Sequence, residues 1–258
     1  MTRPPRRPVE DFAAVFCAIS RQTREPVVLV GGHAVNVWAL TYKDRIGAAL
    51  HPLLPLTSGD MDVFATRNAL LALHHELGGR LLLSGPREIT EGTLVVGTAP
   101  DTREIDVLRS MKGVPKITSQ DTIQLEVCGF GVPVLFPHLL LQGKLANALA
   151  LDQAGRQDVK HVKILGLVLR EFLAEVVGSA AAANEQPTLT LLSNTLDVLT
   201  SGNAVEFERR HRAGLVDVMP REALAASPLR RLAAFGLKQL PRRLAMFAKR
   251  IDPGETNR

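Results

Sequence analysis

Cysteine is scarce in this chain: its 258 residues include only Cys17 and Cys128. The two stand far apart, without the close spacing of a metal site, and both fall in apolar settings. Two buried free thiols in a reducing compartment are expected. The opening residues, MTRPPRRPVEDF, are basic but lack the apolar core of a signal peptide. No apolar run is long and charge-free enough to span a bilayer, and no internal repeat is present. These absences exclude a disulfide scaffold, a thiolate metal centre and stable membrane insertion. They lead to the expectation of a soluble, cytoplasmic protein.

What is present is a sizeable core and a positive balance. The chain is 46% hydrophobic and 22% charged, with a formal net charge of +5. The apolar share argues against global disorder, and the length fits one large domain or two small ones. The positive charge points weakly to an anionic partner.

Residues 2–8 are rich in Pro and Arg and should be loose. Helical spacing of apolar residues predicts a first helix over 9–21, and VVLV predicts a strand over 27–30. Gly31-Gly32 follows directly, then a helix over 33–40 in which Ala34, Val37, Trp38 and Ala39 can pack. Residues 41–58, with Lys43, Asp44 and Arg45, form a substantial insertion rather than a tight turn. A second strand is expected over 61–65, a short helix over 67–77, and strands over 80–83, 93–96 and 104–108. Residues 122–127 and 132–135 flank Gly129 and Gly131 and read as a hairpin. Beyond Pro137 the texture changes to helices over 139–151, 159–177 and 189–199. The last segment, SPLRRLAAFGLKQLPRRLAMFAKR, carries seven basic residues and no acidic one, and Pro241 should split it into two helical pieces. The expected class is α/β (α+β): a mixed α/β domain over 1–136, with a small mixed sheet flanked by helices, then a helical domain over 137–258.

Three features carry chemistry. Side chains two apart on a strand share a face, so Asp60 and Asp62 present paired carboxylates while Met61 faces the core. Like charges that close are stable mainly with a shared cation or donor, and hard oxygen ligands suit magnesium. Alone, though, Asp-x-Asp is usually a solvated loop edge. Gly31 and Gly32 sit between a strand and a helix, where backbone N–H groups attract phosphate and a missing Cβ allows close approach. An ordinary tight turn would use glycine equally well. Finally, Asp106 lies inside the apolar strand EIDVL. Were that strand beside the Asp60 strand, a three-carboxylate cluster would result, able to hold two metal ions. Glu104 shares its face, and an exposed charged residue is the plain alternative for either.

The ordered set of strand, Gly-Gly, helix, Asp-x-Asp and a later strand Asp resembles the DNA polymerase beta-like nucleotidyltransferase superfamily. LVGGHAVNVWA followed by SGDMDVFA is most similar to bacterial nucleotidyltransferases of the abortive-infection toxin (AbiEii) type. The resemblance covers residues 27–108 well and the next helices loosely. It implies a nucleotidyltransferase using a nucleoside triphosphate as donor and magnesium, two ions, as cofactor. It assigns the triphosphate to Gly31 and Gly32 and the metals to Asp60, Asp62 and Asp106. Asp106 would also help activate the acceptor hydroxyl as a general base. Lys144 and Asp158 would complete the nucleotide site, with Arg156 nearby; His161 stands where another acidic residue is expected. RNA, tRNA above all, is the favoured acceptor, and an antitoxin protein is the partner implied for a toxin of this type. A catalytically silent binding protein on the same fold and a transferase acting on an aminoglycoside-type small molecule are the alternatives. The insertion is longer than in such relatives; His33 and Trp38 read as packing residues. In the basic C-terminal segment Arg242 and Lys249, like Arg243 and Arg250, recur seven apart. That pattern suits an RNA backbone, an anionic membrane surface or a solvated helix face.

Overall fold

A computed structural model describes residues 5–22, 25–99 and 101–252; residues 2–4 of the segment expected to be loose lie outside it. The protein is a mixed α/β protein. Its strands are β1 (Val28–Leu29), β2 (Met61–Phe64), β3 (Arg80–Leu83), β4 (Thr90–Val96), β5 (Arg103–Leu108), β6 (Thr122–Val127) and β7 (Phe130–Leu135). They form one seven-stranded sheet in the order β3-β4-β5-β2-β1-β7-β6. The pairs β2·β5 and β1·β7 are parallel and the other four antiparallel. The helices are α1 (Ala13–Arg21), α2 (Gly31–Thr41), α3 (Lys43–Ile46), α4 (Arg67–Leu77), α5 (Pro137–Ala150), α6 (Asp158–Gly178), α7 (Glu185–Leu199), α8 (Gly202–His211), α9 (Arg221–Ala225), α10 (Arg230–Ala234) and α11 (Leu240–Ile251). No described helix is long and apolar enough to cross a membrane.

The chain divides into two compact units, Met1–Thr41 with Leu54–Gly143, and Tyr42–Leu53 with Lys144–Arg258. In the first, alternation along the strands sorts residues by face. Met61 and Val63 of β2, Ile105 and Val107 of β5 and Leu94 of β4 are fully buried, each worth roughly 1.5–3 kcal/mol of transfer free energy. Asp62, Asp106 and Thr93 take the alternate positions and are only partly buried. On α2, Trp38 is fully buried and its indole N–H donates to the Leu135 carbonyl at 2.9 Å. The preceding turn is tighter than its sequence suggests, since α2 begins at Gly31 itself rather than beyond both glycines.

Three other expectations need correcting here. Arg7 is held rather than loose: it pairs through its backbone with Ser58 and its guanidinium meets Asp11 at 3.2 Å and Asp101 at 3.4 Å. Cys128 is exposed and Cys17 only partly buried. Cys128 and Gly129 form the two-residue turn of the β6–β7 hairpin, with φ of 51° and 82°; such a turn needs left-handed backbone at both positions and projects them to solvent. Gly131 then belongs to β7.

In the second unit α6 is the central helix, burying Val162, Ile164, Leu165, Val168, Leu169, Phe172 and Leu173 at helical spacing. The insertion packs with it. Tyr42 donates to Glu175 at 3.1 Å and Arg45 reaches the same carboxylate at 2.6 Å. Residues 43–53 are themselves helical, α3 followed by a 3₁₀ stretch, Gly47–Leu53. The helices α8 and α9 carry no strong sequence signal. At the end of α8 the buried Glu208 accepts backbone N–H bonds from Ala213, Gly214 and Leu215. Pro241 does not split the final segment. Residues 230–251 run as one helix, with a π turn over Phe235–Gln239 just before the proline, which sits in the first turn of α11. That wider turn passes the Leu240 N–H to the Phe235 carbonyl, and an irregularity of this kind lets a helix absorb a residue that cannot donate.

Candidate active site

The aspartates are brought together by strand order. β2 and β5 are far apart in sequence yet neighbours in the sheet, and their parallel register sets Asp62 directly opposite Asp106. Asp60 comes immediately before β2, two residues from Asp62. Ligand oxygens of Asp60, Asp62 and Asp106 all lie within 4.8 Å of one another. Among the described residues this is the one group of three or more His, Cys, Asp or Glu side chains with that convergence. Glu104, on the same strand face, is not part of it.

The next strand supplies a hydroxyl. Thr93 of β4 stands opposite Asp106 in the antiparallel register, and its Oγ1 donates to Asp106 Oδ1 at 2.5 Å. Burial pushes the Asp106 carboxyl above its usual range; the Thr93 bond opposes this, and the charge of Asp60 adds to it. No sequence signal marks Thr93, because its role depends on the β4–β5 register. We expect Thr93→Val to leave the sheet intact while weakening magnesium binding about tenfold. Losing the donor makes Asp106 easier to protonate, so binding should be lost at a higher pH as acid is added. A titration with both readings unchanged would remove Thr93 from the account.

Gly31 lies against Asp62 of the same cluster. It has a left-handed φ of +65°, and a Cβ there would overlap the carboxylate of Asp62. The Val30 N–H also donates to the Asp62 carbonyl at 3.0 Å. Gly31 therefore lets the β1–α2 junction close directly onto a site carboxylate, a demand stricter than that of an ordinary turn. Gly32 and His33 are buried behind it. His33 packs on the Phe12 ring at 4.5 Å, and burial, offset in part by Asp11, holds its pKa down to about 4. At neutral pH it is an uncharged packing residue. Gly31→Ala should cost about 1–3 kcal/mol through backbone strain alone and displace Asp62 as well. A lowered unfolding midpoint together with weakened magnesium binding is the expected result, and an equally stable variant with unchanged binding would contradict this packing.

Three oxygen donors of like charge, held together and partly buried, form a hard-ligand set of the kind magnesium takes. Cation binding would also relieve their mutual repulsion. The residues present therefore fit a divalent-cation site.

The second unit brings together Lys144, Arg156 and Asp158. Lys144 Nζ lies 3.0 Å from Asp158 Oδ1 and Arg156 Nε 2.6 Å from Oδ2. Asp158 is 2% exposed and Lys144 11%. Burial alone would raise the Asp158 carboxyl, but the two cations outweigh it and hold it below the usual value. Both oxygens of Asp158 are thus engaged, one by each cation. His161, a turn along the same helix, is buried. No family model, no curated protein and no solved structure matches this chain.

Proposed function

We propose that the protein is a metal-dependent nucleotidyltransferase, moving a nucleotidyl group from a nucleoside triphosphate to an acceptor hydroxyl, with RNA the favoured acceptor. The observation that supports this best is the convergence of Asp60, Asp62 and Asp106 within 4.8 Å, with Asp62 against the glycine of a strand–glycine–helix junction. In this reading the three aspartates hold magnesium, which supplies charge neutralisation for the triphosphate as the bond to its leaving group breaks. The acceptor oxygen attacks the α-phosphorus, the bond from that phosphorus to the β-phosphate bridging oxygen breaks, and pyrophosphate leaves. Asp106 takes the proton of the acceptor hydroxyl. Thr93 and Gly31 act through the carboxylates they position. The net charge of +5 favours a polyanionic acceptor over a cationic drug, which would call for an acidic pocket.

The test is to incubate the protein with total RNA, magnesium and each of the four α-labelled triphosphates in turn. Label should enter RNA from at least one of them and need both the metal and the aspartates. Absence of label in RNA with all four would remove RNA as acceptor, and absence of any acceptor-linked label in a whole-cell extract would remove the reaction.

A further inference from the structure

Glu222 is the last acidic residue before Asp252, and Arg230, Arg231, Lys238, Arg242, Arg243, Lys249 and Arg250 lie between them. The structure divides these cations into two sets with different tasks. Arg243 pairs with Asp197 at 2.6 Å and donates to Thr200 Oγ1 at 2.7 Å, Arg250 donates to the Thr200 carbonyl at 2.8 Å, and Arg231 bonds Gln186 at 2.6 Å. One heptad row, Arg243 and Arg250, thus fastens the helix to α7. The row beside it, Arg242 and Lys249, is exposed, as are Lys238 and Arg230. None of these four makes an ion pair with a described residue.

We infer that this outward row, Arg230, Lys238, Arg242 and Lys249, is a docking surface for the phosphodiester backbone of RNA. Its charge has one sign over a continuous helix, and at 1.5 Å per residue Lys238 and Lys249 stand roughly 16 Å apart, a reach spanning several phosphates of a strand. A membrane surface fits less well. The apolar stripe that lipid would need, Leu240, Leu244, Phe247 and Ile251, is buried in the protein's own core. The two large apolar side chains left outside, Leu237 and Met246, lie nine residues apart and form no stripe. The inference adds a binding surface to the RNA-directed reading above, but its test requires no catalysis.

That test is the binding of the full chain to a labelled single-stranded RNA, followed by fluorescence anisotropy across a salt series without triphosphate or magnesium. Wild-type affinity should fall about 50-fold from about 50 to 200 mM salt, as for four phosphate contacts on a single strand. The variant Lys238→Gln/Arg242→Gln/Lys249→Gln should lower the slope of log affinity against log salt by about 2. The charge-matched control Arg80→Gln/Arg87→Gln/Lys116→Gln, three exposed cations of the first unit, should keep the wild-type slope. Equal slopes in the two variants would overturn the inference. So would binding to phosphatidylserine vesicles that the helix variant abolishes while its RNA slope stays wild type. Loss of RNA labelling with this slope difference intact would count against the transferase reading alone.

Discussion

Asp62→Asn is expected to lower magnesium-dependent transfer of a nucleotidyl label by about 10³-fold or more, with Asp60→Asn close behind. Asp62 sits opposite Asp106 and within 4.8 Å, oxygen to oxygen, of both other carboxylates, so a cation held there would be shared by all three. Added magnesium should raise the wild-type unfolding midpoint by mass action and leave that of the variant nearly unchanged. This difference separates a metal ligand from a residue that merely packs. An inactive variant that magnesium stabilises as well as wild type would argue against Asp62 as a ligand.

Asp158→Ala carries the largest expected cost in stability, about 3–5 kcal/mol, because it strands Lys144 and Arg156 beside a buried site with no counter-charge. At roughly 2–4 °C per kcal/mol for a chain of this size, the second unit should melt about 10 °C earlier. Replacing the buried pair together, Asp158→Leu with Lys144→Met, should recover part of that loss. The same geometry fixes a pH dependence. The folded carboxyl titrates below its ordinary value of 3.8, so its contribution is fully present above that pH and is lost as pH falls through the lower folded value. Wild-type stability should thus drop in acid more steeply than that of Asp158→Ala, as acid unfolding followed by circular dichroism would show. Parallel acid profiles would mean that the ion pairs add nothing to stability.

Local features were legible from the sequence, and relations between distant strands were not. The hydrophobic run of β1, the glycine pair that separates it from a helix and the Asp60–Asp62 alternation each lie within a few residues, where backbone geometry alone sets which side chains share a face. Asp106 is different. It joins the pair because β5 slots beside β2 although β3 and β4 lie between them in sequence, an order that periodicity cannot reveal. Thr93 became visible only once the β4–β5 register was known. The position of Gly31 could be read, but the carboxylate pressed against it could not. Cys128 looked buried because its neighbours are apolar, and the demands of a two-residue turn outweighed that context. Likewise Pro241 reads as a break, yet the π turn ahead of it lets the helix continue. The insertion gave no sequence hint that Tyr42 and Arg45 would share Glu175.

Nucleotidyl transfer and phosphoryl transfer to the same acceptor are told apart by the position of the label. Purified protein, magnesium and RNA would be supplied in parallel with the same triphosphate labelled at the α- or at the γ-phosphate. With nucleotidyl transfer, α-label should become covalently attached to RNA and γ-label be released as pyrophosphate, and both should disappear with Asp62→Asn. Transfer of γ-label to RNA, or RNA labelling that persists in the Asp62 variant, would contradict it.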